Sequence, residues 1–160
     1  MNLSVGRDVA AEPSVVWDLL VDTERWSQWG PSVAEVELTD VAEPIGVGTD
    51  AIDLDAQRIR AGSTGRVRTA LGVWLPFAVT HFEPGRSWAW RVAGIPATTH
   101  CVVPHDRGCR VEFGIPALAA PYAVVCQAAL RRIERLALDP KTPSTDHPTG
   151  GAEPERPTQR

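Results

Sequence analysis

The 160-residue chain predicts an α+β fold in which a curved antiparallel sheet wraps around one long C-terminal helix. Three observations predict it. Residues 120–138 carry the longest apolar pattern of helical period. A run of segments with period-two alternation precedes that helix. Two short helical patterns follow the first strand-like segment, so strands and helices are segregated along the chain.

Taking the elements in order, Asn2 to Ala10 alternates and reads as a first strand. Glu12-Pro13 opens a helix with proline at its first position, where a missing N–H costs nothing. Val16, Leu19 and Leu20 form its apolar face, with Trp17 beside them. Asp22 or Thr23 caps a second short helix, T-E-R-W-S-Q-W, which Gly30-Pro31 stops. Val33 to Leu38 alternates as a strand. Asp40 to Gly48 reads as a loop, and Ala51 to Asp55 alternates again. Gly62 to Gly65 (G-S-T-G) reads as a turn, without the lysine and spacing of a phosphate loop. Strands are then expected at Arg66–Leu71, Phe77–Phe82, Ser87–Val92, Thr98–Val103 and Cys109–Ile115. In the last of these, Val111, Phe113 and Ile115 alternate with Arg110 and Glu112, so one face is buried.

In the closing helix, Tyr122, Val125, Cys126, Ala129, Ile133 and Leu136 form one apolar stripe. Pro121 is expected in its first turn, and Arg131, Arg132 and Arg135 near its end suit the helix dipole. Ile115 to Leu130 is almost uncharged. It spans only 16 residues and holds two prolines, whereas a bilayer needs roughly 20 apolar residues, so no membrane span is expected. Residues 1–138 are read as one domain. Residues 139–160, with five prolines and no Val, Ile, Leu or aromatic, are read as a disordered tail.

The net charge of −4 argues against nucleic acid as the main partner. Its distribution is uneven: residues 1–55 are net −10 and residues 56–138 net +7. The preferred reading is pairing of these charges across the surface. The other is a positively lined mouth, carried by Arg66 and Arg68, for an acidic ligand. Three cysteines without disulfide-framework spacing, and no signal-peptide pattern, favour a reduced, cytoplasmic setting as the expectation.

The motifs E-P-S-V-V-W-D-L-L-V-D (Glu12 to Asp22), W-S-Q-W-G-P (Trp26 to Pro31) and F-E-P-G-R-S-W-A-W (Phe82 to Trp90), with the closing helix, resemble the START-like helix-grip superfamily. Within it the chain is similar to the polyketide cyclase/dehydrase and lipid-transport group. The resemblance covers residues 1–138 and departs from the family in a longer segment from Glu35 to Ala61. It implies a deep apolar cavity between the sheet and the C-terminal helix, partly closed by the two short helices.

Six tryptophans against one tyrosine and three phenylalanines are the chief chemical feature. Each is either core or cavity wall. The expected wall is Trp26, Trp29, Trp74 and Trp90, with indole N–H groups as directional donors, and with Phe77, Phe113 and Cys126 beside them. His81 and His100 are expected to face the cavity or its rim, and Tyr122 either to point its hydroxyl inward or to be a buried tyrosine with a backbone partner. The function expected is binding or carriage of a small hydrophobic or aromatic molecule by a monomer or weak homodimer, without a cofactor. The alternative is a cyclase/dehydratase-like lyase or isomerase acting on a carbonyl, with His100 and Tyr122 as catalytic candidates. Arg66, Arg68, Arg91 and Arg110 alternate with apolar neighbours and face outward, which weakens that alternative. His100, Cys101, His105 and Cys109 match no standard zinc spacing, so no metal is expected. No nucleophile elbow or dinucleotide fingerprint is present.

Overall fold

The computed structural model describes residues 3–39 and 57–139. The expected loop at Asp40–Gly48, the alternating segment Ala51–Asp55 and the Pro-rich tail from Pro140 lie outside these residues.

Among the described residues, seven strands form one antiparallel sheet: β1 (Leu3–Val9), β2 (Val33–Leu38), β3 (Thr64–Thr69), β4 (Trp74–Glu83), β5 (Ser87–Val92), β6 (Ile95–His105) and β7 (Gly108–Ile115). Their order across the sheet is β1-β7-β6-β5-β4-β3-β2. Helix α1 (Pro13–Val21) starts at its proline as expected. A single 3₁₀ turn, Thr23–Arg25, leads into α2 (Trp26–Trp29), and the Asp22 side chain caps that turn by accepting from the Glu24 N–H. The last helix, α3 (Ala123–Ala137), packs on β1, β7, α1 and α2. The sheet thus holds α3 on its inner face, in the arrangement the sequence predicts.

One helix boundary differs from expectation because of a proline. The final helix begins at Ala123, not Ala120, because Ala117–Tyr122 winds as 3₁₀ helix with a kink at Ala119. Pro121 has no N–H for the carbonyl four residues back, and its ring crowds that carbonyl, so an α-helix cannot run through it. Tyr122 therefore sits at the N-cap of α3, 37% exposed, and not on the buried stripe. That stripe is Cys126, Ala129, Leu130 and Ile133. Arg7 Nε donates to Glu134 Oε2 at 2.5 Å and ties α3 to the edge strand β1.

Gly65 belongs to β3 rather than to the preceding turn. A Cβ there would meet the Glu37 carbonyl oxygen at 2.3 Å and the Phe77 ring at 2.9 Å. The glycine leaves room for Phe77 to reach inward and pack on Trp26 and Trp90.

Charges pair across strands, as the preferred reading expects. Arg66 meets Glu37 at 2.6 Å and Arg68 meets Glu35 at 2.8 Å, between β3 and β2. Val67 between them is buried, so both arginines point away from the core. The idea of a positive mouth built from them does not hold. Pairs this exposed add little stability.

Candidate functional site

Two adjoining chambers lie between the sheet, α2 and the N-terminal end of α3. The outer chamber has a volume of about 410 Å³. Its walls come from β3 (Val67), β4 (Leu75), β5 (Trp90, Val92), β6 (Ala97, Thr98) and the 3₁₀ segment (Ala119). Leu71, on the β3–β4 turn, and Ile95, at the start of β6, form its rim and are 92% and 68% exposed. The inner chamber is small, about 30 Å³, and is framed by Trp26, Trp29, Trp88, His100, Phe113 and Cys126. Ser32, Val33, Trp90, Thr98 and Tyr122 line both chambers. Among the described residues, no Lys, Arg, Asp or Glu lines either one. At the boundary the hydroxyls of Ser32 and Tyr122 share a short hydrogen bond that links the α2–β2 turn to α3.

The aromatic side chains form one connected cluster. Trp26 stacks on Trp88 with ring planes 6° apart, and Trp88 stacks on His100 at 4.0 Å between centroids. Phe113 meets His100 edge-on at 4.5 Å. The N–H groups have been assigned by this packing. Trp26 Nε1 donates to the Leu20 carbonyl at 2.9 Å and Trp29 Nε1 to the Leu19 carbonyl at 2.8 Å. These two bonds anchor α2 to the end of α1. Trp90 Nε1 donates to Thr98 Oγ1 at 3.2 Å, and Thr98 Oγ1 lies 3.3 Å from His100 Nε2. Among the described residues, Trp88 Nε1 and His100 Nδ1 are buried without a hydrogen-bond partner.

Of the residues expected at the site, Trp26, Trp29, Trp90, His100, Phe113, Tyr122 and Cys126 line the chambers. Phe77 is buried in the core behind Trp26 and Trp90 and lines neither. Trp74 is on the other face of the sheet. Leu75 and Phe77 point inward, so strand parity sends Trp74 outward, where Arg66 and Arg68 lie over its ring at 4.7 and 5.8 Å. His81 is also excluded. Counting by twos from Phe77 and Val79 puts it inside, but a bulge between Val79 and His81 inserts Thr80 and reverses the parity. Phe82 then faces Trp17, and His81 is exposed and bonded to Ser87 Oγ at 3.0 Å. Trp88 and Thr98 were not singled out as site residues. The signal for Trp88 was present, since it shares a strand face with Trp90.

The titratable groups at the site are held neutral. Burial lowers the His100 pKa from 6.5 to about 3, against a small opposing pull from the Trp88 backbone. Burial also pushes the Cys126 thiol up to about 11 and raises the Tyr122 hydroxyl, the latter opposed by its bond to Ser32. A histidine depressed in the folded state stabilises the fold fully above its unfolded value. That stability is lost as pH falls from about 6.5 toward about 3. Unfolding free energy of the native chain is therefore expected to fall more steeply than that of His100→Phe in this window. The extra slope should approach about 1.4 kcal/mol per pH unit, one proton's worth. Urea titrations of both proteins at pH 7, 6, 5 and 4 check this; parallel curves would contradict it.

Among the described residues no group of three His, Cys, Asp or Glu side chains stands together for a metal ion. No helix among them is long and apolar enough to cross a membrane.

The family model described as "Polyketide cyclase / dehydrase and lipid transport" matches residues 2–139. No curated protein matches the chain. Several solved structures share the fold. A protein from Mesorhizobium loti superposes with a TM-score of 0.62 at 12% identity, covering 85% of this chain and 96% of its own. One from Chromobacterium violaceum gives 0.56 at 19% identity, with 85% and 96% covered. The AHSA1-like protein from Aeromonas hydrophila gives 0.56 at 14% identity, with 85% and 91% covered.

Proposed function

Because the chain belongs to the polyketide cyclase / dehydrase and lipid transport family, we propose that it binds one small, neutral, largely apolar molecule in the outer chamber and acts as a binding or carrier protein. The observation that carries this reading is the chamber itself. A volume of about 410 Å³ walled by Val, Leu, Ala and Trp side chains, with a few hydroxyls, suits a small-molecule site. Its uncharged lining disfavours ions, which would lose their hydration without a counter-charge. Three free cysteines accord with a reducing, cytoplasmic setting.

The alternative, a cyclase/dehydratase-like enzyme, would call on His100 to move a proton and on Tyr122 to polarise a carbonyl. A histidine whose pKa is about 3 is a weak base near neutral pH, so the protonation states favour binding over catalysis.

Native mass spectrometry of protein purified from its source organism, with extraction of the bound fraction, tests the reading. A discrete neutral small molecule, recovered chemically unchanged after incubation, is expected. Conversion of that molecule by the native chain but not by His100→Phe or Tyr122→Phe would replace the carrier reading with the enzymatic one.

A further inference from the structure

The two ends of the sheet differ in chemistry. Antiparallel order places the β3–β4 turn, the β5–β6 turn and the exit of β7 at one end, where the outer chamber opens. The β4–β5 and β6–β7 turns lie at the other end. Hairpin tips meet water and are ordinarily polar. The far tips follow that rule, with Arg86 paired to Glu83 on one and Asp106 and Arg107 exposed on the other. The tips at the mouth break it, since residues 69–75, 92–99 and 114–130 contain no charged side chain.

Leu71, Val73, Ile95 and Leu118 stand at the mouth 92%, 53%, 68% and 101% exposed. Leu3, Tyr122 and Val124 are exposed at the same end. Of the exposed large hydrophobic side chains among the described residues, only Val103 and Leu138 lie elsewhere. Single exposed apolar side chains need no explanation, but a collar of them around a cavity mouth does. The β5–β6 tip adds a backbone observation. Ala93 has a φ of 51°, in the left-handed region where Asn, Asp or Gly is the usual residue of a hairpin turn. This tip is therefore apolar at a position whose backbone favours a polar residue or glycine.

We propose that this collar docks the protein on the surface of a lipid bilayer, with the four aliphatic tips in the acyl layer and the chamber mouth against it. The inference rests on the binding reading above, for which it names the source of the ligand: an apolar molecule passes from membrane to chamber without crossing water. Two features choose a bilayer over another protein. Leu71 and Leu118 stand almost fully clear of the surface on separate segments, so gaps lie between the tips. Fluid acyl chains fill such gaps, whereas a rigid partner reaches interior packing density only on a complementary surface. Behind the tips, Trp74 and Arg91 lie on the outer sheet face, Trp74 next to Val73 and Arg91 in register with Pro96. An indole and a guanidinium on an apolar stem at that depth suit the headgroup layer. The tips themselves carry no cation, so docking needs no anionic lipid.

Flotation with phosphatidylcholine vesicles tests the proposal. The native chain should float with them, and raising NaCl from about 0.05 to about 0.5 M should change its affinity less than about twofold. Replacing about a third of the lipid by phosphatidylserine should not strengthen binding of a chain whose net charge is −4. The double variant Val73→Asp, Leu118→Asp alters two tips that do not line the chamber. It should weaken vesicle binding at least about 30-fold and leave fluorene affinity in solution within about twofold, which also shows that it is folded. Val103→Asp, exposed away from the mouth, should leave both affinities unchanged. On the native chain, doxyl-labelled lipid should broaden the methyl resonances of Leu71, Ile95 and Leu118 and spare Val103. Absence of vesicle binding, binding that requires phosphatidylserine, or binding that survives the double variant overturns this inference and leaves the apolar chamber standing. So does a dimer in free solution that the double variant separates, because a second copy then covers the collar. If fluorene does not bind the native chain, the binding reading falls and this inference with it.

Discussion

The double variant Leu75→Trp, Ala97→Phe should lose binding of a neutral apolar probe such as fluorene by at least about 30-fold while remaining folded. Both side chains line the outer chamber, on β4 and β6 with β5 between them, and both positions are only half-buried. The added rings would occupy the space of the ligand. Excluding about 80 Å² of probe surface from burial, at about 25 cal/mol per Å², corresponds to that factor. Because the rings grow into open volume and not into packed core, the stability change should stay within about 1 kcal/mol, at the low end of overpacking costs. Calorimetric titration, paired with urea unfolding, reads both quantities. Undiminished binding by a folded double variant would move the site elsewhere.

Trp26→Ala should have the largest effect on stability in the molecule, about 3–5 kcal/mol. Trp26 is 1% exposed, and its ring touches those of Trp29, Phe77, Trp88 and Trp90. Removing it empties the centre of the aromatic cluster. It also deprives the buried Leu20 carbonyl of the Trp26 N–H. The four-residue helix α2 has little intrinsic stability, because isolated short helices do not pay the cost of nucleation. It is held by its two tryptophans and their bonds to the end of α1. Denaturant titration should show a lower midpoint with an unchanged slope. A loss below about 1 kcal/mol would mean that the cluster repacks and that α2 is anchored by other contacts.

Much of this architecture was legible because local pattern and burial agree. In β7 the inward residues Val111, Phe113 and Ile115 could be read from alternation alone, and they are the buried ones. Pro13 marked the start of α1, and Trp26 and Trp29 share a face because they are three apart on a helix. The errors arose where one inserted or unseen residue changes parity. Thr80 in its bulge turned His81 outward, and the unrecognised start of β4 at Trp74 hid that this ring lies outside. Pro121 was read as a helix opener, when two prolines five apart hold the segment in 3₁₀ form. Ser32 and Tyr122, which line both chambers and bond to each other, are 90 residues apart, a meeting no local pattern encodes. The orphaned Trp88 N–H is likewise a tertiary fact: whether an indole finds an acceptor depends on what faces it, and the sequence offered the same donor at six places.

Occupation of the outer chamber by an apolar molecule is open to direct observation. Methyl-labelled NMR titration with fluorene tests it most directly. Saturable shifts are expected at the methyls of Val67, Leu75, Val92 and Thr98, which line the chamber, and none at Val5, which lies by the groove beside Arg7 and Gln127. Saturable shifts at Val5 with the chamber methyls unmoved would contradict it.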